Sequence, residues 1–344
     1  MSVAGAAIDS STKPSDFRWM FALCFLGLAI GSAWLSVALP LSVAFAAVFL
    51  FAGPHNWFEL RYALGRLPAR TGKLRGFFVA SGLGIVGLSG AYAALPFLQD
   101  RWEGLEDFGI SIWTTAFLFW IALLVWMRSH TNPRFDGGWV WPVACLLTAL
   151  AWLSPYTLPL SLVFLHPLMA LWLLDRELAR SRPAWRKHYW CVVGCVPLAV
   201  VVMWWQLRGV PALPGTDQIT LAFGPTVRAD TLTDHVGASL LPGVSPYFLV
   251  ATHTFLELVH YGVWVVLIPL IGLGSWPWQL ETIPVSRRSR TWSRGVTAFL
   301  ALGVLLVSVL WVCFGVDYET TRRVYFTVAM LHVLAEVPFL LRMI

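Results

Sequence analysis

Five histidines stand inside long apolar stretches of this chain: His55, His166, His253, His260 and His332. Three have a glutamate four residues on, as His55/Glu59, His253/Glu257 and His332/Glu336. Residues four apart on a helix share a face, so each imidazole points the same way as its carboxylate. His253, Glu257 and His260 follow at i, i+4 and i+7 and form one stripe two turns long. Ionisable groups at that depth cost about 2.5–3.5 kcal/mol each on insertion scales, which makes them functional by default. Imidazole and carboxylate are the donors of non-haem iron, and mixed His/carboxylate sites with open positions suit oxygen activation; copper or zinc take the same donors. Helix-borne diiron sites use Glu-x-x-His units, and Glu257-Leu258-Val259-His260 has that spacing. The residues therefore predict a metal site with His55, His166, His253, His260 and His332 as ligands. Glu59, Glu257 and Glu336 are either further ligands or the acceptors that orient the imidazoles.

The elements that must position these groups follow from composition. The 344 residues are 58% hydrophobic and 12% charged, with mean hydropathy +0.70, against about 25% charged in soluble domains. That excludes a soluble protein, and the net charge of +6 matters through where it lies rather than as a nucleic-acid footprint. Spans need about 20 mostly apolar residues, and ten runs qualify, near 19–37, 40–62, 76–98, 108–127, 138–153, 156–175, 188–207, 247–270, 295–316 and 323–341. The fold class is thus an all-α polytopic transmembrane bundle. The fifth run is short and parted from the sixth only by Ser154-Pro155, which leaves a re-entrant hairpin open.

Cytoplasmic connections carry the excess of Lys and Arg, and here alternate connections divide them 19 to 5. The division puts both termini in the cytoplasm of a multi-pass protein in a cell membrane of the bacterial inner-membrane type. The first apolar run continues through Pro40 into the second with no A-x-A-like cleavage site, so it reads as a retained helix. Residues 1–17 read as a flexible cytoplasmic tail, 18–344 as one helical domain, and 208–245 as an extracytoplasmic cap with Asp217, Asp230, Asp234 and His235. His130, His188 and His235 read as solvated loop residues. Arg61, Arg66, Arg70, Lys73 and Arg75 read as topology determinants at lipid phosphates, and Asp175, Arg176 and Glu177 as interfacial. Trp19, Trp57, Trp102, Trp126, Trp139, Trp141, Trp276 and Trp278 sit near span ends, as an aromatic belt requires. The five cysteines lie in apolar runs without CxxC spacing, against a disulfide framework or thiolate site.

At 1.5 Å per residue, His166 and His332 fall near the midplane, His260 about 3 Å and His55 about 6 Å to the cytoplasmic side, and His253 about 7–8 Å to the other. All five lie on even-numbered spans, which run in one direction. Proline adjoins two of them, as Pro54-His55 and His166-Pro167, and breaks a backbone hydrogen bond at each.

Pro54-His55-Asn56-Trp57-Phe58-Glu59 resembles the Pro-His-Gly-x-x-Asp motif of the Brp/Blh type of membrane β-carotene 15,15'-dioxygenase, with Asn for Gly and Glu for Asp. The later intramembrane histidines are similar to that family's scattered ones. The resemblance implies iron held by His55, His166, His253 or His260, and His332, with oxygen cleaving a polyene delivered laterally from the bilayer.

The sequence reading that follows is a non-haem iron oxygenase acting on a hydrophobic small molecule. Its rival is a transporter in which the same His and Glu form a proton or cation pathway. A haem-binding electron carrier and a structural membrane subunit remain as further alternatives.

Overall fold

The structure is a computed structural model and describes residues 14–68, 70–99, 101–102, 105–131, 136–210, 213, 229–273 and 279–343. Asp217, Arg134, Arg228, Trp276, Trp278 and residues 1–13 of the expected tail lie outside them. Every long element among the described residues is a helix: α1 Pro14–Ala38, α2 Pro40–Arg66, α3 Arg75–Gln99, α4 Leu105–Thr131, α5 Val140–Leu153, α6 Thr157–Ser181, α7 Pro183–Val193, α8 Cys195–Leu207, α9 Ala229–His235, α10 Pro246–Gly262, α11 Arg290–Val316 and α12 Tyr318–Met343. Helix α1 thus begins inside the segment expected as tail.

Among the described residues, nine helical segments are long and apolar enough to cross a membrane, with α7 and α8 together supplying one of them. The fifth expected span, α5, has 14 residues, about 21 Å at 1.5 Å per residue and short of a hydrocarbon core. It lies against α4, where Val140 and Ala144 meet Ala122 and Val125. Large apolar side chains such as Leu83, Val86, Trp205, Leu305 and Val316 face outward. An exposed apolar surface of that extent is what a bilayer covers.

Helix α10 is the axis of the bundle. Residues 249–256 and 259–262 of it are buried on every side, as expected of a helix that is apolar all round. Ser245 caps it by accepting from the Phe248 N–H at 3.3 Å, with Pro246 at the first helical position, where the missing N–H is no loss. Below Gly262 the helix widens into π-turns over Val263–Leu267 and Pro269–Leu273. Helices α1, α2, α6 and α8 surround α10, while α3, α4 and α12 form a second group closed on α2 by α12.

Two glycines mark places where this packing leaves no room. A Cβ at Gly53, one residue before Pro54, would meet Val307 of α11 at 2.8 Å. Gly237, at φ +78°, would meet Leu160 of α6 at 2.5 Å; that left-handed conformation is natural only to glycine and turns the chain after α9 down onto α6.

Several polar residues assigned to the membrane surface are buried instead. Trp57 is in the interior and donates its indole N–H to Leu300 O at 3.0 Å. Arg61 is 1% exposed and donates to Thr282 Oγ1 at 2.6 Å, and Arg66, half-buried, pairs with the buried Glu177. Each swaps a lipid or water partner for a fixed one, because α2 is enclosed on most sides. The five cysteines are free.

Candidate metal centre

Four of the five intramembrane histidines meet. His55 of α2, His260 of α10, His166 of α6 and His332 of α12 form a closed circuit with ring centroids 5.4, 5.1, 5.2 and 5.4 Å apart in that order. Imidazole nitrogens about 2.1 Å from a shared ion put ring centroids about 3.2 Å from it, and four such rings disposed tetrahedrally stand about 5.3 Å apart. Neighbouring rings of the circuit have that spacing, although the ligand atoms that come within 4.8 Å of one another are those of His55, Glu59 and His332, without His166 and His260. Between His166 and His332 the two Nε2 atoms face each other at 3.2 Å.

Backbone and carboxylate oxygens set the orientation of three rings. His55 Nδ1 lies 2.9 Å from Phe51 O, one turn back along α2, and His260 Nδ1 lies 3.2 Å from Pro167 O on α6. His166 Nδ1 lies 3.2 Å from Glu336 Oε2 on α12. An imidazole whose Nδ1–H is held by oxygen keeps its Nε2 lone pair for something else, the usual arrangement of metal-bound histidine.

Two carboxylates adjoin the circuit. Donor atoms of His55, Glu59 and His332 all lie within 4.8 Å of one another, and the carboxyl groups of Glu59 and Glu336 face each other. The buried atoms His260 Nε2, Glu59 Oε2 and Glu336 Oε1 have no hydrogen-bond partner among the described residues. Buried polar atoms are almost always partnered, and a cation held among His55, Glu59 and His332 would give Glu59 its partner. The donor set is four nitrogens and one or two oxygens, which suits iron, copper or zinc.

His253, expected with the others, sits apart. Its ring packs on His235 at 5.3 Å and on Phe164 at 6.1 Å, with Nδ1 3.7 Å from Glu257 Oε2. Glu257 in turn bonds Tyr261, whose ring lies 4.7 Å from His55. Of the three in-helix His/Glu pairs only His253/Glu257 forms: His55 turns to its own backbone, and Glu336 serves His166 across the bundle rather than His332.

Sequence reasoning missed Tyr261, His235 and Arg322. Tyr261 adjoins His260 in the chain, and that adjacency was the available signal. His235, expected to be solvated, is drawn in by α9 and stacks on Phe326 at 4.9 Å. Burial first, then His253 and the Arg322 guanidinium, push its imidazole well below the ordinary value of 6.5. Asp175 takes no part, being held by Arg186 at 2.8 and 2.9 Å.

A cavity of about 730 Å³ begins at the four imidazoles and runs to the end of the bundle covered by α9. Apolar walls come from Trp113, Leu162, Met330 and Val333, while His235, His253 and Arg322 line its far end. Fold and site together define a multi-pass helical protein with a buried cluster of histidine and glutamate. No family model, no curated protein and no solved structure matches the chain, so the chemistry of this cluster carries the functional reading.

Proposed function

We propose that the protein is an intramembrane non-haem iron oxygenase acting on a lipid-soluble substrate, multi-pass in a cell membrane. The observation that carries the reading is the closed circuit of four imidazoles, with the ligand atoms of His55, Glu59 and His332 within 4.8 Å of one another. His55, His166, His260 and His332 would hold the iron, with Glu59 as a carboxylate donor. Iron bound there supplies the activation of dioxygen.

The rest is the work of the chain. Phe51 O, Pro167 O and Glu336 fix three rings before any ligand arrives, which lowers the reorganisation needed on binding. The facing carboxyls of Glu59 and Glu336 can hold one proton between them beside the circuit. Trp113, Leu162, Met330 and Val333 keep water from the adjoining cavity, and an apolar wall is what a lipid-soluble molecule binds. The resemblance of the Pro54–Glu59 segment to the membrane carotenoid dioxygenases points the same way.

One observation favours a second reading, proton translocation. His235, His253, Glu257, Tyr261 and His55 form a file of polar side chains from the α9 end to the circuit. Beyond Glu59 and Glu336 the Tyr62 ring packs on Trp264 and Phe339 while its hydroxyl turns to Glu177, and among the described residues no hydrogen bond joins those two carboxyls to that second cluster.

Metal analysis by mass spectrometry decides between them, with wild type beside a His55→Ala/His260→Ala variant and absorption spectra of both. The oxygenase reading expects one or two equivalents of iron, lost in the variant, with no Soret band. It also expects oxygen uptake with a polyene or lipid. Metal-free wild type that moves protons in liposomes would replace it with the translocation reading.

A further inference from the structure

The circuit of imidazoles uses one end of the cavity, and the other end holds a group with no role in it. Arg322 is 4% exposed, lines the cavity, and sits over the Phe326 ring at 4.9 Å. A guanidinium carries its charge at every relevant pH and offers five donors. Among the described residues, none of those donors makes a hydrogen bond and no carboxylate stands within ion-pairing distance.

The charged and titratable neighbours do not fill that role. Glu319, one turn back on α12, pairs with the exposed Arg323 at 3.5 Å. Glu257, His253, His235 and Tyr318 feel the Arg322 charge at longer range. Asp234 lines the cavity as well but is exposed. A buried cation without a counter-ion is strongly unfavourable; Arg322 has none among the described residues and borders a cavity large enough for a ligand.

We propose that Arg322 receives the carboxylate of a long-chain apolar acid, whose chain runs down the cavity to the four histidines. One buried cation balances one negative charge, which favours a carboxylate over a phosphate. A carboxylate also matches the planar fork of a guanidinium with two parallel bonds. Arg322 and His332 are ten residues apart on one helix, about 15 Å along its axis, so the head group and the reacting position are separated by an extended chain. The cavity volume of about 730 Å³ lies within the range of about 300–1,000 Å³ usual for ligand sites. This inference deepens the oxygenase reading by assigning its substrate class, although the binding of the acid itself needs no metal.

The test measures the binding of cis-parinaric acid, a fluorescent long-chain tetraene acid, and of its methyl ester, at pH 8. The full-length protein is used in detergent, both iron-loaded and chelator-stripped. Wild type should bind the acid about tenfold more tightly than the ester in both states, the margin of a charge-assisted hydrogen-bonded pair. Arg322→Gln should bring the acid down to the ester's affinity while leaving the ester unchanged. Arg322→Lys should keep part of the preference, and Arg323→Gln all of it. Equal binding of acid and ester by wild type, or a preference that survives Arg322→Gln, would overturn the proposal. A preference for the acid in protein that takes up no iron would sink the oxygenase reading alone; iron uptake without the preference would sink this one alone.

Discussion

Two buried polar clusters lie within three turns of each other on α2, and they are built on different terms. At the C-terminal end of the helix every carboxylate meets a cation. Glu177 accepts from Tyr62 Oη at 2.6 Å and from Arg66, and Asp175 takes two bonds from Arg186. Three turns back, His55, His166, His260 and His332 gather with Glu59 and Glu336, and the interaction that would complete them is missing from the protein's own side chains. Both clusters are buried, and both use residues spaced for one helix face. Glu177 Oε1 also lacks a hydrogen-bond partner, so the difference lies in charge. Glu177 has Arg66 beside it, whereas Glu59 faces another carboxyl, Glu336. An unbalanced set of donors marks a site where burial and spacing do not. A closed cluster stabilises the fold, whereas an open one is incomplete until a ligand arrives.

Four experiments would break or sharpen that contrast. The largest effect is expected from His55→Ala/His260→Ala, which should abolish metal binding, read as metal per protein, while leaving the helical content unchanged. Next, Glu177→Ala should destabilise the protein by about 3 kcal/mol, because it leaves Arg66 and Tyr62 without their anion. Denaturation would report that loss, and metal content should stay at the wild-type level. If both variants lost metal and stability alike, the two clusters would not be distinct.

Glu336→Gln is expected to weaken metal affinity by about 10- to 100-fold, since His166 Nδ1 loses its carboxylate, with little change in stability. Competition with a chelator measures this. The smallest effect concerns His235. Its folded-state proton affinity is depressed, so below pH 6.5 the unfolded state binds the proton that the folded state refuses. Stability of the α9 cap should then fall as pH drops from 7.5 to 5, by at most about 1.4 kcal/mol per pH unit. Hydrogen exchange of residues 229–241 would show it, and His235→Phe should flatten the dependence.

Much of this protein was legible from residue order. Long apolar runs and the five histidines within them are one-dimensional patterns, and hydropathy reads them directly. The expected midplane depths of His166, His260 and His332 were also consistent with a shared site, because depth along a straight helix is a matter of counting. Arg61 and Trp57 were misplaced for a related reason. Their distance from the span centre suggested the surface, but whether a span end meets lipid or another helix depends on neighbours far away in the chain.

The sequence by itself determined that this is an all-helical membrane protein with imidazoles and carboxylates at the depth of the bilayer core. The cost of a charge in hydrocarbon and the length of a span leave little freedom there. Only the tertiary structure decided which of those groups meet. Glu336 pairs with His166 at a separation of 170 positions rather than with His332 on its own helix, and His253 joins His235 instead of the circuit. Such choices depend on the rotation of each helix about its axis, and that rotation is set by contacts between helices, as where α11 presses Val307 against Gly53. Helical periodicity fixes which residues share a face, but which neighbour that face meets is settled by packing across the bundle.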